Sequence, residues 1–157
     1  MSALILKQFG VKRGPCPVLQ NISFELAAGE FVGLVGPNGA GKTTLMRGMQ
    51  GLLPHSGFSN LSQMNTAQRA LHAAWMPQER EVAWPILVED VLRLGRAPHR
   101  SAKAVDQAAV DAAIEQFSLQ TMRTRPADQL SGGEQARVLL ARAVVQQTLL
   151  LLADEPI

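Results

Sequence analysis

The sequence is short of several things, and each shortage excludes a class of protein. Of its 157 residues one is a cysteine, Cys16, which rules out an internal disulfide framework and any cysteine-based zinc cluster. Charge of either sign is scarce in excess: 15 Lys and Arg stand against 13 Asp and Glu. A net +2 is too small to argue for nucleic acid or an anionic membrane surface. The longest unbroken apolar run is Leu149–Ala153, far below the roughly 20 residues that span a bilayer. The opening Met1-Ser2-Ala3-Leu4 has no charged region leading into an apolar stretch, so no signal peptide is visible. Internal repeats and low-complexity linkers are missing too. A soluble, cytosolic chain is expected, one that only a partner would bring to a membrane.

What is present can build a core. Hydrophobic residues make up 46% and charged residues 18%, enough apolar surface for one ordinary domain. Leu4-Ile5-Leu6 begins a short strand that Gly14-Pro15-Cys16-Pro17 breaks. Ile22, Phe24 and Leu26 alternate with Ser23 and Glu25, the period of a half-buried strand. Phe31-Val32-Gly33-Leu34-Val35 is apolar on both faces, which predicts a central strand of a covered parallel sheet. A helix over about Lys42–Gln50 follows, with Gly51 as its terminal glycine and Pro54 blocking continuation. Residues 55–70 read as a polar surface connection with a short helix. Ala73–Met76 forms a short strand ended by Pro77. From Glu79 to about Gln147 the pattern is mainly helical, with Val110, Ile114 and Phe117 on one face and Asp106, Asp111 and Glu115 elsewhere. Thr148–Asp154 then reads as a second fully buried strand. This order predicts an α/β fold with a helical insert.

Three motifs carry chemistry. Gly36-Pro37-Asn38-Gly39-Ala40-Gly41-Lys42-Thr43 fits G-x-x-x-x-G-K-[ST] between a strand and a helix. Its glycines let the backbone curl so that consecutive N–H groups converge on phosphate oxygens, and the helix N-terminus adds partial positive charge. Lys42 can reach the β and γ phosphates and the Thr43 hydroxyl can ligate Mg²⁺. Leu149–Pro156 delivers Asp154 and Glu155 at the carboxyl end of a strand, where α/β sheets bind ligands. Asp154 suits Mg²⁺, and Glu155 suits a water in line with the γ phosphate. Leu130-Ser131-Gly132-Gly133-Glu134-Gln135 opens a helix; a Ser131/Glu134 capping box explains two of these residues but not the adjacent glycines.

The phosphate loop, LSGGEQ and LLLLADEP, in that order, resemble the nucleotide-binding subunit of an ABC transporter, from about Leu4 to Ile157. The resemblance implies a P-loop NTPase (RecA-like) α/β core with an N-terminal antiparallel β subdomain and a helical signature subdomain. The β subdomain and core would take 1–78 and 148–157, and the helical part 79–147. It implies ATP and Mg²⁺ as ligands. Gly36 to Thr43 and Thr44 would bind the phosphates, Thr43, Gln78 and Asp154 the metal, and Glu155 and Gln78 the attacking water. Ser131, Gly132, Gly133, Glu134 and Gln135 would meet ATP held by a second subunit, so a homodimer with two composite sites is implied. An integral membrane permease is a further implied partner, with a periplasmic or extracellular binding protein acting indirectly and no nucleic acid. The expected place is cytoplasmic, peripheral on the inner face of the cell membrane.

Some features depart from the family pattern. Arg13 and Gly14 lie where an adenine-stacking aromatic usually sits, and the chain has no tyrosine. Arg13 can stack on a base or simply be solvated. The connection from Gly57 to Leu71 looks abbreviated. The family's D-loop and switch histidine are expected after Glu155, whereas His55, His72 and His99 all precede it. A fragment lacking the final core strands is therefore expected, unstable and catalytically silent by itself; cooperative unfolding or clear ATP turnover would contradict this.

Val88–His99 is similar to the segment after the glutamine loop in importers of iron–siderophore complexes, haem and cobalamin, although a helix closed by Gly95 and Pro98 explains the same residues. Arg93, Arg96 and Arg100 share helical spacing, which a solvated basic face explains better than docking to a permease. Trp84 suits an interface anchor or ordinary core packing equally. The reading is an ATP-hydrolysing subunit of an importer. The alternatives are a soluble ABC-type ATPase acting on nucleic acid or ribosomes, and a nucleotide-binding module without turnover.

Overall fold

The computed structural model describes residues 2–78 and 85–154. Two compact units divide between Ala73 and Ala74. In the first, β1 (Ser2–Arg13) and β2 (Cys16–Ala27) form an antiparallel hairpin, and β3 (His55–Ser59) pairs with the other edge of β1. The strand starting at Leu4 thus runs on to Arg13, through register shifts near Gln8 and Asn21, two non-glycine residues at positive φ. Helix α1 (Lys42–Met49) covers this sheet, and Phe9, Leu4, Leu6 and Leu61 are wholly buried. Helix α2 (Thr66–His72) starts at a reciprocal capping box: Gln68 N–H donates to Asn65 Oδ1 (2.9 Å) and Asn65 N–H donates to Gln68 Oε1 (3.0 Å).

β3 corrects the reading of 55–70 as a bare surface connection. Nothing in His55-Ser56-Gly57-Phe58-Ser59 has the apolar alternation of a strand. It pairs because β1 offers an edge and because Ser59, fully buried, donates its hydroxyl to Met49 O. The expected short helix in that stretch is α2.

A second correction concerns Phe31–Val35. It is not a strand here; Phe31 is 97% and Val35 94% exposed. Apolar character makes a segment able to enter a sheet, but a strand exists only through hydrogen-bonded neighbours, and among the described residues no strand pairs with it.

β4 (Ala73–Met76), which belongs to the second unit from Ala74 on, and β5 (Leu150–Ala153) form a two-stranded sheet. β5 is shorter and wetter than expected: Leu150 and Leu152 are buried, while Leu149 and Leu151 are each about two-fifths exposed. Helices α3 (Val88–Arg96), α4 (Lys103–Gln116) and α5 (Gly132–Val144) enclose a core of Val88, Leu92, Val110, Ile114, Leu119 and Val138. Val110 and Ile114 are buried and Phe117 packs against them, as the helical spacing predicted.

Gly95 does not close its helix. It lies inside α3, where a Cβ would sit 2.5 Å from Arg142 O and 2.7 Å from Val145 Cγ1 on α5 and its end. The glycine is what lets the two helices touch. Gly95→Ala must push them apart, at about 1–3 kcal/mol for overpacking. The expected result is faster amide exchange in α3 and α5, with the sheet of residues 2–59 unaffected.

Candidate functional site

The loop between Gly36 and Lys42 is built by its glycines. Gly39 and Gly41 take φ of 84° and 91°, and a Cβ on Gly39 would meet nothing within 4 Å. Ala40 N–H donates to Pro37 O (3.1 Å), closing a turn, and Leu45 N–H donates to Gly41 O (2.8 Å), starting α1. The helix N-cap is Gly41 itself, so no side chain caps it, and no acidic residue lies in its first turn. That helix end carries partial positive charge, with neither a side-chain cap nor an acidic residue in its own first turn, which suits phosphate. Lys42 Nζ bends back over the loop, donating to Gly36 O (2.8 Å) and Pro37 O (3.1 Å). An ammonium has three donors, so these two bonds leave it capacity for an anionic oxygen. Thr43 and Thr44 follow on the first turn, half-buried.

In the second unit backbone pairing sets Asp154 beside Met76, two residues before Gln78. Asp154 N–H donates to Met76 O (2.9 Å), so the ends of β4 and β5 lie side by side, with Pro77-Gln78 continuing from one and Asp154 from the other. Asp154 is buried and Gln78 exposed. Glu155 and Trp84 lie outside the described residues.

Ser131, Gly132 and Gly133 are exposed at the start of α5, and Glu134 and Gln135 are half-buried. The capping box expected from Ser131 and Glu134 is present: Ser131 N–H donates to Glu134 Oε2 (2.8 Å) and Glu134 N–H donates to Ser131 Oγ (3.4 Å). The Ser131 hydroxyl accepts in this cap. The backbone N–H of Ser131 holds the Glu134 carboxyl below its usual range, helped by the Ser131 hydroxyl and then by the Arg125 and Arg137 charges, while burial opposes them. Two contributors were not singled out from the sequence. Arg125 Nη1 lies 3.8 Å from Glu134 Oε1, and Ala127 O accepts from Gln135 Nε2 (3.0 Å). Both sit in a stretch pinned by an isolated bridge between Leu87 and Pro126, a pairing that no residue pattern announces.

The basic face expected from Arg93, Arg96 and Arg100 does not form. Arg93 pairs with Glu89 and Asp90. Arg96 is buried, 4% exposed, and its Nε donates to Asp106 Oδ1 (2.9 Å). Arg100 takes a left-handed conformation just beyond the turn Ala97–His99.

The family model for ABC transporters matches residues 19–157, and the chain belongs to that family. It is 35% identical over 144 residues to the manganese transport system ATP-binding protein MntB of Halalkalibacterium halodurans, matching 88% of this chain and 58% of that protein. Against the hemin import ATP-binding protein HmuV of Streptomyces coelicolor it is 40% identical over 154 residues, 93% of this chain and 55% of the other. Among solved structures, a metal-chelate type ABC transporter in an inward-facing conformation matches with a TM-score of 0.83 and 26% identity, over 99% of this chain and 61% of its own. An ATP-binding subunit of an ABC transporter matches in fold with a TM-score of 0.85 at 24% identity, over 98% of this chain and 66% of that one. The chain thus spans a little over half the length of these curated relatives. Its mixed α/β architecture, with an antiparallel β part and a set of helices, is that of ABC ATP-binding subunits. Among the described residues no helix is long and apolar enough to cross a membrane.

The depressed Glu134 carboxyl has a consequence for pH. A group whose folded-state pKa lies below its unfolded value stabilises the fold above the unfolded value, about 4.3 for Glu. That contribution is lost as pH falls through the lower, folded value. Amides in the first turn of α5 are expected to lose protection on acidification below about pH 4, and Glu134→Gln is expected to remove that dependence. Ser131→Ala is expected to loosen the same turn at every pH, by about 1 kcal/mol.

Proposed function

We propose that this chain is the nucleotide-binding part of an ATP-hydrolysing subunit that energises import through a membrane permease. One observation carries the reading: α1 starts at a glycine with no side-chain cap, behind a curled loop that Lys42 overhangs. Such an end is satisfied by the phosphates of a nucleotide. Backbone N–H groups from Gly36, Pro37's successor Asn38, Gly39, Ala40 and Gly41 through Thr43 and Thr44 receive phosphate oxygens, and Lys42 turns from its loop carbonyls to the β and γ phosphates.

The residues fit Mg²⁺ as well. Among the described residues no group of three or more His, Cys, Asp or Glu forms a metal cage. Mg²⁺ asks for less than a cage, one or two carboxylates beside substrate phosphates. Thr43, Asp154 and Gln78 would hold it, and when bound it neutralises charge on the phosphate oxygens. Glu155 accepts a proton from the water that attacks the γ phosphorus in line, as the bond to the β–γ bridging oxygen breaks and ADP leaves. Gln78 helps orient that water.

Ser131 to Gln135 address the nucleotide of a second subunit. Ser131 serves this by turning its hydroxyl proton to the incoming phosphate while its oxygen keeps accepting from Glu134 N–H. Two copies then share two composite sites, and closing and opening of that dimer drives the permease, with an external binding protein delivering cargo. The assembly is peripheral on the cytoplasmic face of the membrane, and 1–78 with 148–157 serve the nucleotide while 79–147 face the partners. Manganese and hemin, named for two relatives, and the metal-chelate type of a structural neighbour support a metal ion or metal complex as cargo class.

Titration with Mg-ATP beside a Lys42→Ala control tests the core of this reading. Saturable binding is expected, weakened at least tenfold in the variant, roughly the loss of one charge-assisted contact. Equal binding by both chains, or none by either, refutes it.

A further inference from the structure

Arg96 is a buried cation that the nucleotide chemistry leaves unexplained. Its guanidinium reaches three partners on two parts of the chain: Nε donates to Asp106 Oδ1 (2.9 Å) on α4, and Nη1 donates to Val145 O (3.0 Å) and Gln147 Oε1 (3.0 Å) beyond α5. Neighbours in its own segment grip the same place. His99 Nε2–H donates to Gln146 O (2.5 Å), and Gly95 packs against Arg142 O. The stretch from Gly95 to His99 therefore clasps the carboxyl end of α5 and the turn beyond it. That turn is strained, since Gln147 holds a positive φ of 52° without being glycine. Three residues on, β5 begins and leads to Asp154, whose N–H donates to Met76 O.

Packing alone does not call for an arginine here. Val88, Val91 and Leu92 already fill the core side of α3. A guanidinium differs from an apolar residue in fixing direction, because its donors lie in one rigid plane. Two of the three acceptors lie at the α5-to-β5 turn.

We infer that Arg96 is a positioning residue, its buried guanidinium setting the turn between the signature-bearing helix and the strand that delivers Asp154. What this does for the divalent cation rests on the role proposed above for Asp154; what it does for the turn does not.

The experiment uses the full 157-residue chain and four variants, Arg96→Met, Arg96→Lys, Gln147→Ala and Val91→Ala, followed by residue-resolved amide exchange. Arg96→Met is expected to speed exchange at Val145–Gln147 and Leu150–Asp154 by about tenfold or more relative to the rest of the second unit. Gln147→Ala, an exposed side chain that removes one acceptor without touching the core, gives a smaller effect at the same amides. Arg96→Lys recovers part of the protection. Val91→Ala instead loosens the helical core as a whole. ATP affinity is measured in Mg²⁺ and in EDTA: the gain from Mg²⁺ is expected to fall in Arg96→Met, with affinity in EDTA unchanged. Exchange that rises evenly across the helices, as in Val91→Ala, or that stays at the wild-type rate at Leu150–Asp154 in both Arg96→Met and Gln147→Ala, overturns the inference. Absence of ATP binding in the wild type defeats the nucleotide reading instead, and the exchange pattern still decides the role of Arg96 in the turn.

Discussion

A buried backbone N–H or C=O has to find a partner, and the way each helix end in this chain meets that demand separates scaffold from site. α2 and α5 close their amino ends with side chains, Asn65 with Gln68 and Ser131 with Glu134. The carboxyl end of α5 is closed from outside by Arg96. α3 and α4 have no side-chain cap either but carry acids in their first turns, Glu89 and Asp90 in one and Asp106 in the other; α1 has neither, and begins at a glycine. An acidic or hydroxyl cap there would supply the favourable partner that the helix dipole seeks and would compete with phosphate for the same N–H groups. Leaving that end to glycine costs the local stability a cap provides, about 1 kcal/mol, and keeps the donors for a ligand.

The same demand explains which parts of the fold could be read from the sequence. The phosphate loop, α1 and the amino end of α5 are local features. Their residues lie within about one helical turn of the groups they satisfy, so spacing alone reveals them. β3 was hidden because its evidence lies elsewhere. Its partner is β1, some fifty residues earlier, and Ser59 is buried by a bond to Met49 rather than by being apolar. Arg96 was misread for the same reason: its spacing with Arg93 and Arg100 suggests a wet face, while Asp106 and Gln147 are what bury it. The opposite error occurred at Phe31–Val35, where apolar character was complete but pairing was lacking. Composition reports what a segment tolerates, and pairing decides what it becomes. Glu155 and Trp84, both prominent in the sequence, fall outside the described residues, so their readings still rest on sequence alone.

The capping box on α5 also shows why one residue can serve structure and recognition without conflict. A hydroxyl is both acceptor and donor. Ser131 spends its acceptor side on Glu134 N–H, while Glu134 takes Ser131 N–H through its carboxylate. Glu134 in turn is kept ionised by those contacts, with Arg125 adding a weaker pull from 3.8 Å. The adjacent glycines add no Cβ; one on either would meet nothing within 4 Å, so their smallness serves no contact inside this unit. Internal packing therefore does not require those glycines.

α5 then becomes the element on which the second unit turns. It is 13 residues long, about 20 Å at the usual helical rise. Its middle is locked in the core by Val138 and Ala141, both fully buried. A helix so held moves as a rod or not at all, and its two ends are chemically distinct. At one end the Ser131 cap sits in the open, where small adjustments cost little. At the other, Arg96, His99 and Gly95 fasten the turn that leads to Asp154. A displacement applied at the open end cannot be absorbed at the fastened end without breaking bonds to a buried cation, and stranding such a charge is among the more expensive changes a fold can make. The carboxyl end of α5 is therefore the costlier end to displace, and the exposed Ser131–Gly133 end the cheaper.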